Sequence, residues 1–110
     1  PQVVLIITLK FDTEETAAGL LKEWGKLADY VRVNEPHLFH YEMAQSETDP
    51  TLYVCTERYR SKEDYLGPHK SSAEFAEFRP KLKALQDAGK VEISGHSYIE
   101  TGIGVAGGRA

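Results

Sequence analysis

At 110 residues, 41% hydrophobic and 27% charged, the chain has the size and composition of one globular domain. Its net charge of −4, without a basic block or interleaved aromatic and basic residues, excludes the usual nucleic-acid-binding signature. The single cysteine, Cys55, excludes an internal disulfide and fits a reducing compartment, and no apolar run reaches membrane-span length, so a cytoplasmic protein with no membrane partner is expected.

The run "VVLIITL" (Val3 to Leu9) is β-branched and aliphatic without alternation, which predicts a strand buried on both faces. Asp12 with Glu15 three residues on fits a capping box. Ala17, Leu20, Leu21, Trp24, Leu27, Ala28 and Val31 then fall at helical spacing, predicting one apolar stripe on a helix of about five turns. "NEP" (34–36) stops it, because the residue before a proline is pushed out of the helical region. Residues 37–45 and 51–60 read as two strands joined by the polar hairpin connection "SETDP". Ser61 caps a short helix, "KEDYL", that Gly67-Pro68 is expected to end. Ser71 or Ser72 caps the next helix, in which Phe75, Phe78, Leu82 and Leu85 repeat at spacings of three and four, and Pro80 predicts a kink or two short helices. Gly89 is a C-terminal stop, and "VEISGHSYIE" (91–100) is the last strand. The domain is expected over residues 1–101, with 102–110 as a flexible glycine-rich tail.

The order β-α-β-β-α-β implies an α+β, ferredoxin-like fold, an antiparallel sheet with its helices on one face. The first strand is apolar on both sides, yet helices cover only one. A second sheet from a two-fold partner covers the other, so a homodimer, a dimeric α+β barrel, is expected.

Several short motifs carry less than their letters suggest. "GIGVAGG" matches G-x-G-x-x-G, but that fingerprint needs a helix after it and only three residues follow Gly107. His37 and His40 have H-x-x-H spacing, which on a strand turns the rings to opposite faces, so no metal site is expected. Pro1 is the type of N-terminal amine that tautomerase-like proteins use as a general base, but their repeated β-α-β plan does not contain the central hairpin read here.

The stretch "ERYRSKEDYLGPHK" (57–70) is richer. Alternation puts Tyr53, Cys55, Glu57 and Tyr59 on one strand face. If Gln45 pairs with Thr51, Tyr41 lies opposite Cys55 and Phe39 opposite Glu57, and Phe39, Tyr41, Met43, Tyr53, Cys55, Glu57 and Tyr59 share that face. A face with Glu57 and several phenols needs polar partners, because buried polar groups must be hydrogen-bonded. Leu38, His40, Leu52, Val54 and Thr56 then suit the dimer contact. His69, following Gly-Pro at a helix break, is placed to project into a cavity.

The succession "NEP", "HYEMAQSETDP", "TERY" and "SKEDYLGPHKSSAEFAEF" resembles the antibiotic biosynthesis monooxygenase domain, over roughly residues 2–100. Asn34, Glu35, Pro36, Tyr41, Glu57, Tyr59, His69, Phe75 and Phe78 carry the resemblance. It implies a ferredoxin-like homodimer with a pocket between sheet and helices in each subunit. It also implies oxygenation of a small phenolic, anthrone or quinol-like molecule by O₂ without metal or flavin. His69 or Glu57 would then take the proton, with Tyr41, Tyr59 and Tyr65 orienting substrate oxygens, Asn34 giving a polar contact, and Trp24, Phe39 and Phe75 as pocket walls. His37 stands where the family often has glycine. A haem-degrading sister group needs a histidine on the helix that reads "AEFAEFRP" here and an asparagine on the first strand, and neither is present. The alternatives are a dimeric binder of the same fold without turnover and, less favoured, the Pro1 tautomerase.

Overall fold

The computed structural model describes residues 2–105. β1 (Val3–Phe11) leads into α1 (Glu14–Asn34), the hairpin β2 (Leu38–Gln45) and β3 (Leu52–Tyr59), the short α2 (Lys62–Asp64), a π-helical turn (Tyr65–His69), α3 (Ala73–Asp87) and β4 (Val91–Ile99). The four strands pair antiparallel in the order β2-β3-β1-β4. This is the ferredoxin-like α+β fold. Val3, Leu5, Leu9 and Phe11 of β1 pack with Ala17, Leu20, Leu27 and Val31 of α1 into the core. Alternate β1 residues face away from the helices, and Ile6 among them is 40% exposed. None of the described helices is long and apolar enough to cross a membrane.

The ends of the elements follow from side-chain chemistry. Thr13, not Asp12, caps α1: its hydroxyl accepts Thr16 N–H at 3.1 Å, while Asp12 accepts Thr13 N–H at 2.8 Å and settles the approach. Ser72 caps α3 by accepting Phe75 N–H at 3.1 Å. At its other end Gly89, with φ of 72°, lets Lys90 N–H reach Leu85 C=O at 2.9 Å and its own N–H reach Gln86 C=O at 3.0 Å. Pro80 does not divide α3, which is one continuous helix. The residue is exposed, so the carbonyl that loses its N–H partner is left to water.

Two further expectations are corrected. The hairpin pairs Gln45 with Tyr53, Met43 with Cys55 and Tyr41 with Glu57, two residues from the expected register. The turn takes up more chain because Ser46 Oγ accepts Thr48 and Asp49 N–H, Asp49 accepts Thr51 N–H, and Thr51 C=O is drawn to Phe11 N–H at 2.9 Å. A shift of two keeps each face intact. A bulge between Leu38 and His40 does not. It moves Leu38, expected on the outer face, to the core side, and it leaves Phe39 45% exposed beneath the Arg58 guanidinium, 5.8 Å from its ring centre.

Gly67-Pro68, expected to stop the short helix, lies inside the π turn. The missing proline N–H breaks the α-helical ladder, and the wider turn closes instead through Lys70 N–H to Tyr65 C=O at 3.3 Å. Ser71 Oγ–H donates to Gly67 C=O. The extra residue in the turn rotates the chain and drives His69 inward, to 1% exposure.

Candidate active site

The sheet, α1 and α3 enclose a cavity of about 250 Å³. Its walls are mostly apolar: Ile7, Leu9, Leu20, Met43, Phe75, Phe78, Leu82 and Ile93. Trp24 of α1 stacks on Tyr41 of β2 with ring centres 4.9 Å apart, and both line the space. Tyr41, Glu57 and Cys55 come from the sheet, Tyr65 and His69 from the π turn. Residues far apart in the chain therefore meet around one volume, which is slightly smaller than the roughly 300–1,000 Å³ of typical ligand sites.

His69 is the best-defined polar group. Its Nδ1 lies 2.9 Å from Glu35 Oε1, and Glu35 is itself 3% exposed. Tyr41, Tyr59, Tyr65 and Phe75 surround the ring, with centres 5.1 to 6.5 Å away. The carboxylate fixes the ring by one nitrogen, and Nε2 has no protein hydrogen-bond partner among the described residues. A second imidazole approaches the same carboxylate: His37 Nε2 is 3.7 Å from Glu35 Oε1. Glu35 Oε2 and His37 Nε2 are both buried without a hydrogen-bond partner among the described residues.

Glu57 is the second buried carboxyl group. Tyr59 O–H donates to its Oε1 at 2.6 Å, and Cys55 S–H to its Oε2 at 3.6 Å. Burial holds the Glu57 pKa above the ordinary carboxyl value, against the opposing pull of Tyr59, His69 and Cys55. Burial first, and the Glu57 charge second, raise Tyr41 and Tyr59 beyond the usual phenol range and push the Cys55 thiol up. Tyr41, Tyr59 and Cys55 are thus hydrogen-bond donors at ordinary pH, not anions.

The cavity brings together His69, Glu57, Tyr41, Tyr65, Trp24 and Phe75 of the candidate residues. Tyr59 is fully buried behind it and contacts it through Glu57. Phe39 and Asn34 are elsewhere. The bulge takes Phe39 to the outer face, and Asn34 is exposed at the end of α1, where its side-chain N–H donates to Tyr30 C=O at 3.0 Å. Glu35 was read as part of a helix stop and of the family pattern, but not as a site residue. A carboxylate at the negative C-terminal end of a helix is unfavourable by itself, and that is the signal for a compensating partner. His37 and His40 do not share a strand as expected, since β2 begins at Leu38: His40 is exposed by Glu42, and His37 is turned in toward Glu35. No group of three metal-ligating side chains stands together among the described residues. Pro1 lies outside them.

A family model described as antibiotic biosynthesis monooxygenase matches residues 2–81. Among solved structures, a Caulobacter crescentus protein named as a candidate antibiotic biosynthesis monooxygenase shares 26% identity, with 90% of this chain and 91% of that one covered and a TM-score of 0.71. A Nitrosomonas europaea protein of the same description shares 22% identity over 93% and 92%, with a TM-score of 0.73. SnoaB, a cofactor-independent oxygenase from Streptomyces nogalater, is 8% identical over 90% and 92%, with a TM-score of 0.69, a likeness of fold. No curated protein sequence matches.

Proposed function

This chain belongs to the antibiotic biosynthesis monooxygenase family, and from that premise we propose that it oxygenates a small phenolic, anthrone or quinol-like molecule with O₂ and without metal or flavin. The observation that carries the reading is His69, held by Glu35 through Nδ1 at 2.9 Å on the wall of an aromatic cavity. His69 Nε2 takes the proton from the substrate hydroxyl or activated C–H. Glu35 is the positioning residue that stabilises the imidazolium. Tyr41 donates a hydrogen bond to the developing oxyanion, and Trp24, Tyr65 and Phe75 hold the ring plane. The deprotonated substrate passes one electron to O₂, and radical and superoxide combine to a carbon-bound peroxide. Its breakdown leaves a carbonyl and releases the second oxygen as water, so a CH₂ and O₂ become C=O and H₂O with no outside reductant. Glu57, biased by burial toward its acid form, is a proton source for the departing oxygen.

The outer sheet face supports a homodimer. Val4, Ile6, Thr8, Val54 and Thr56 form a patch that none of the described helices covers. Packing two such faces gives the sheet-on-sheet barrel.

The test is oxygen uptake by metal-stripped protein on anthrones, naphthalenediols and hydroquinones, beside His69→Gln. The amide of the variant keeps a partner for Glu35, and circular dichroism checks its fold. Uptake matched by product and lost in the variant is the expected result. Binding without uptake above the autoxidation blank would leave a ligand-binding protein of this fold.

A further inference from the structure

The α3 face toward the cavity is Phe75, Phe78, Arg79 and Leu82, so a guanidinium interrupts an apolar stripe at the i, i+3, i+4, i+7 positions. Arg79 is exposed although it lines the cavity, and Lys70 is likewise exposed on the lining. These two cations mark the mouth, whereas His69 at 1% and Glu57 at 5% exposure mark the floor. Arg79 has no carboxylate partner among the described residues. Arg32, Arg58 and Arg60 are each paired, with Asp29, Glu100 and Asp64. Lys70 has no carboxylate partner among them either. Its ammonium lies 5.1 Å from the centre of the Tyr65 ring, itself a cavity wall.

We propose that the cavity takes a planar hydroxyaromatic acid, with its carboxylate held at the mouth by Arg79 and Lys70 and its hydroxyl reaching His69 at the floor. The inference rests on the reading of this cavity as the substrate site. The charge pattern gives the ligand one orientation. The buried Glu35 carboxylate behind His69 disfavours an anionic group at the floor, and the guanidinium at the mouth offers the paired N–H donors that match a carboxylate. A carboxylate conjugated to the ring stays in its plane and so fits between the aromatic walls Tyr65 and Phe75. In an acidic chain whose other described arginines are neutralised, a free guanidinium on a helix's apolar stripe is explained by an anion that arrives with the ligand.

Isothermal titration calorimetry with 6-hydroxy-2-naphthoate, whose hydroxyl and carboxylate stand at opposite ends of the ring system, and with 2-naphthol separates the possibilities without requiring turnover. The expected result is hydroxynaphthoate binding about tenfold tighter than naphthol, as a charge-assisted contact gives. Arg79→Gln brings the acid down toward naphthol, and Lys70→Gln does so in part. Equal affinity for the two probes, or an acid preference that survives both substitutions, overturns the carboxylate contact while leaving the aromatic site standing. Failure of both probes to bind overturns the site reading and this inference with it.

Discussion

Glu57→Gln changes how stability depends on pH. The Glu57 carboxyl is 5% exposed, with Tyr59 O–H on one oxygen and Cys55 S–H on the other. Burial outweighs these contacts and raises its folded pKa above the ordinary value. Over the interval between the two values, the unfolded chain has released a proton that the folded chain still holds. Stability is therefore fully present below the unfolded pKa of about 4.3 and falls as pH rises, by about 1.4 kcal/mol per pH unit, until the folded pKa is passed. The glutamine amide has the same shape, accepts the same Tyr59 hydrogen bond and has no proton to lose. Subtracting its stability from that of the wild type removes every other titrating group in common. Urea unfolding followed by the fluorescence of Trp24, the only tryptophan, from pH 4.5 to 8 measures both proteins. The difference should move in favour of Glu57→Gln as pH rises. A difference that stays constant across that range refutes the raised pKa and, with it, the assignment of Glu57 as a proton source.

Two other substitutions test separate parts of the account. Glu35→Gln keeps an oxygen for His69 Nδ1–H but removes the charge, so kcat is expected to fall about 10²–10⁴-fold in the oxygen-uptake assay with a changed pH profile. Glu35→Ala instead leaves the buried His69 Nδ1–H without its acceptor and should cost about 1–3 kcal/mol in urea unfolding. Ile6→Glu puts a carboxylate in the middle of the uncovered sheet face; sedimentation should show a dimer for the wild type and a monomer for the variant, and a monomeric wild type refutes the packed-sheet arrangement.

Local chemistry made most of the fold readable. The α1 stripe, the Ser72 cap and the Gly89 stop each depend on residues within one or two turns of each other, and each stands as read; the β1 run forms its strand, but the outer face expected to be buried is left open, with Ile6 40% exposed. The hairpin register was lost because it is set by Ser46, Asp49 and the pull of Phe11 on Thr51, contacts that length alone does not reveal. The bulge at Phe39 has neither glycine nor proline to announce it. Gly67-Pro68 was a true local signal with two solutions, a stop or a wider turn, and tertiary packing of His69 against Glu35 accompanies the second. Parity rescued much of the candidate site: a register shift of two returned Tyr41, Cys55 and Glu57 to one face, whereas the single-residue bulge removed Phe39. Glu35 was missed because its importance comes from a partner 34 residues away.

The two borders of the sheet are unequal. β2 is bent by its bulge, and a bent border is a poor template for another chain's backbone. β4 pairs with β1 without a register shift from Val91 to Ile99, and no strand among the described residues pairs with its other side. A fibre needs two adhesive borders on every molecule, one for each neighbour. Any association by strand addition would therefore join β4 to β4 about a two-fold axis and stop at a pair. The kink at Phe39 thus limits edge-to-edge growth, and straightening it by deleting one residue would give the molecule a second adhesive border.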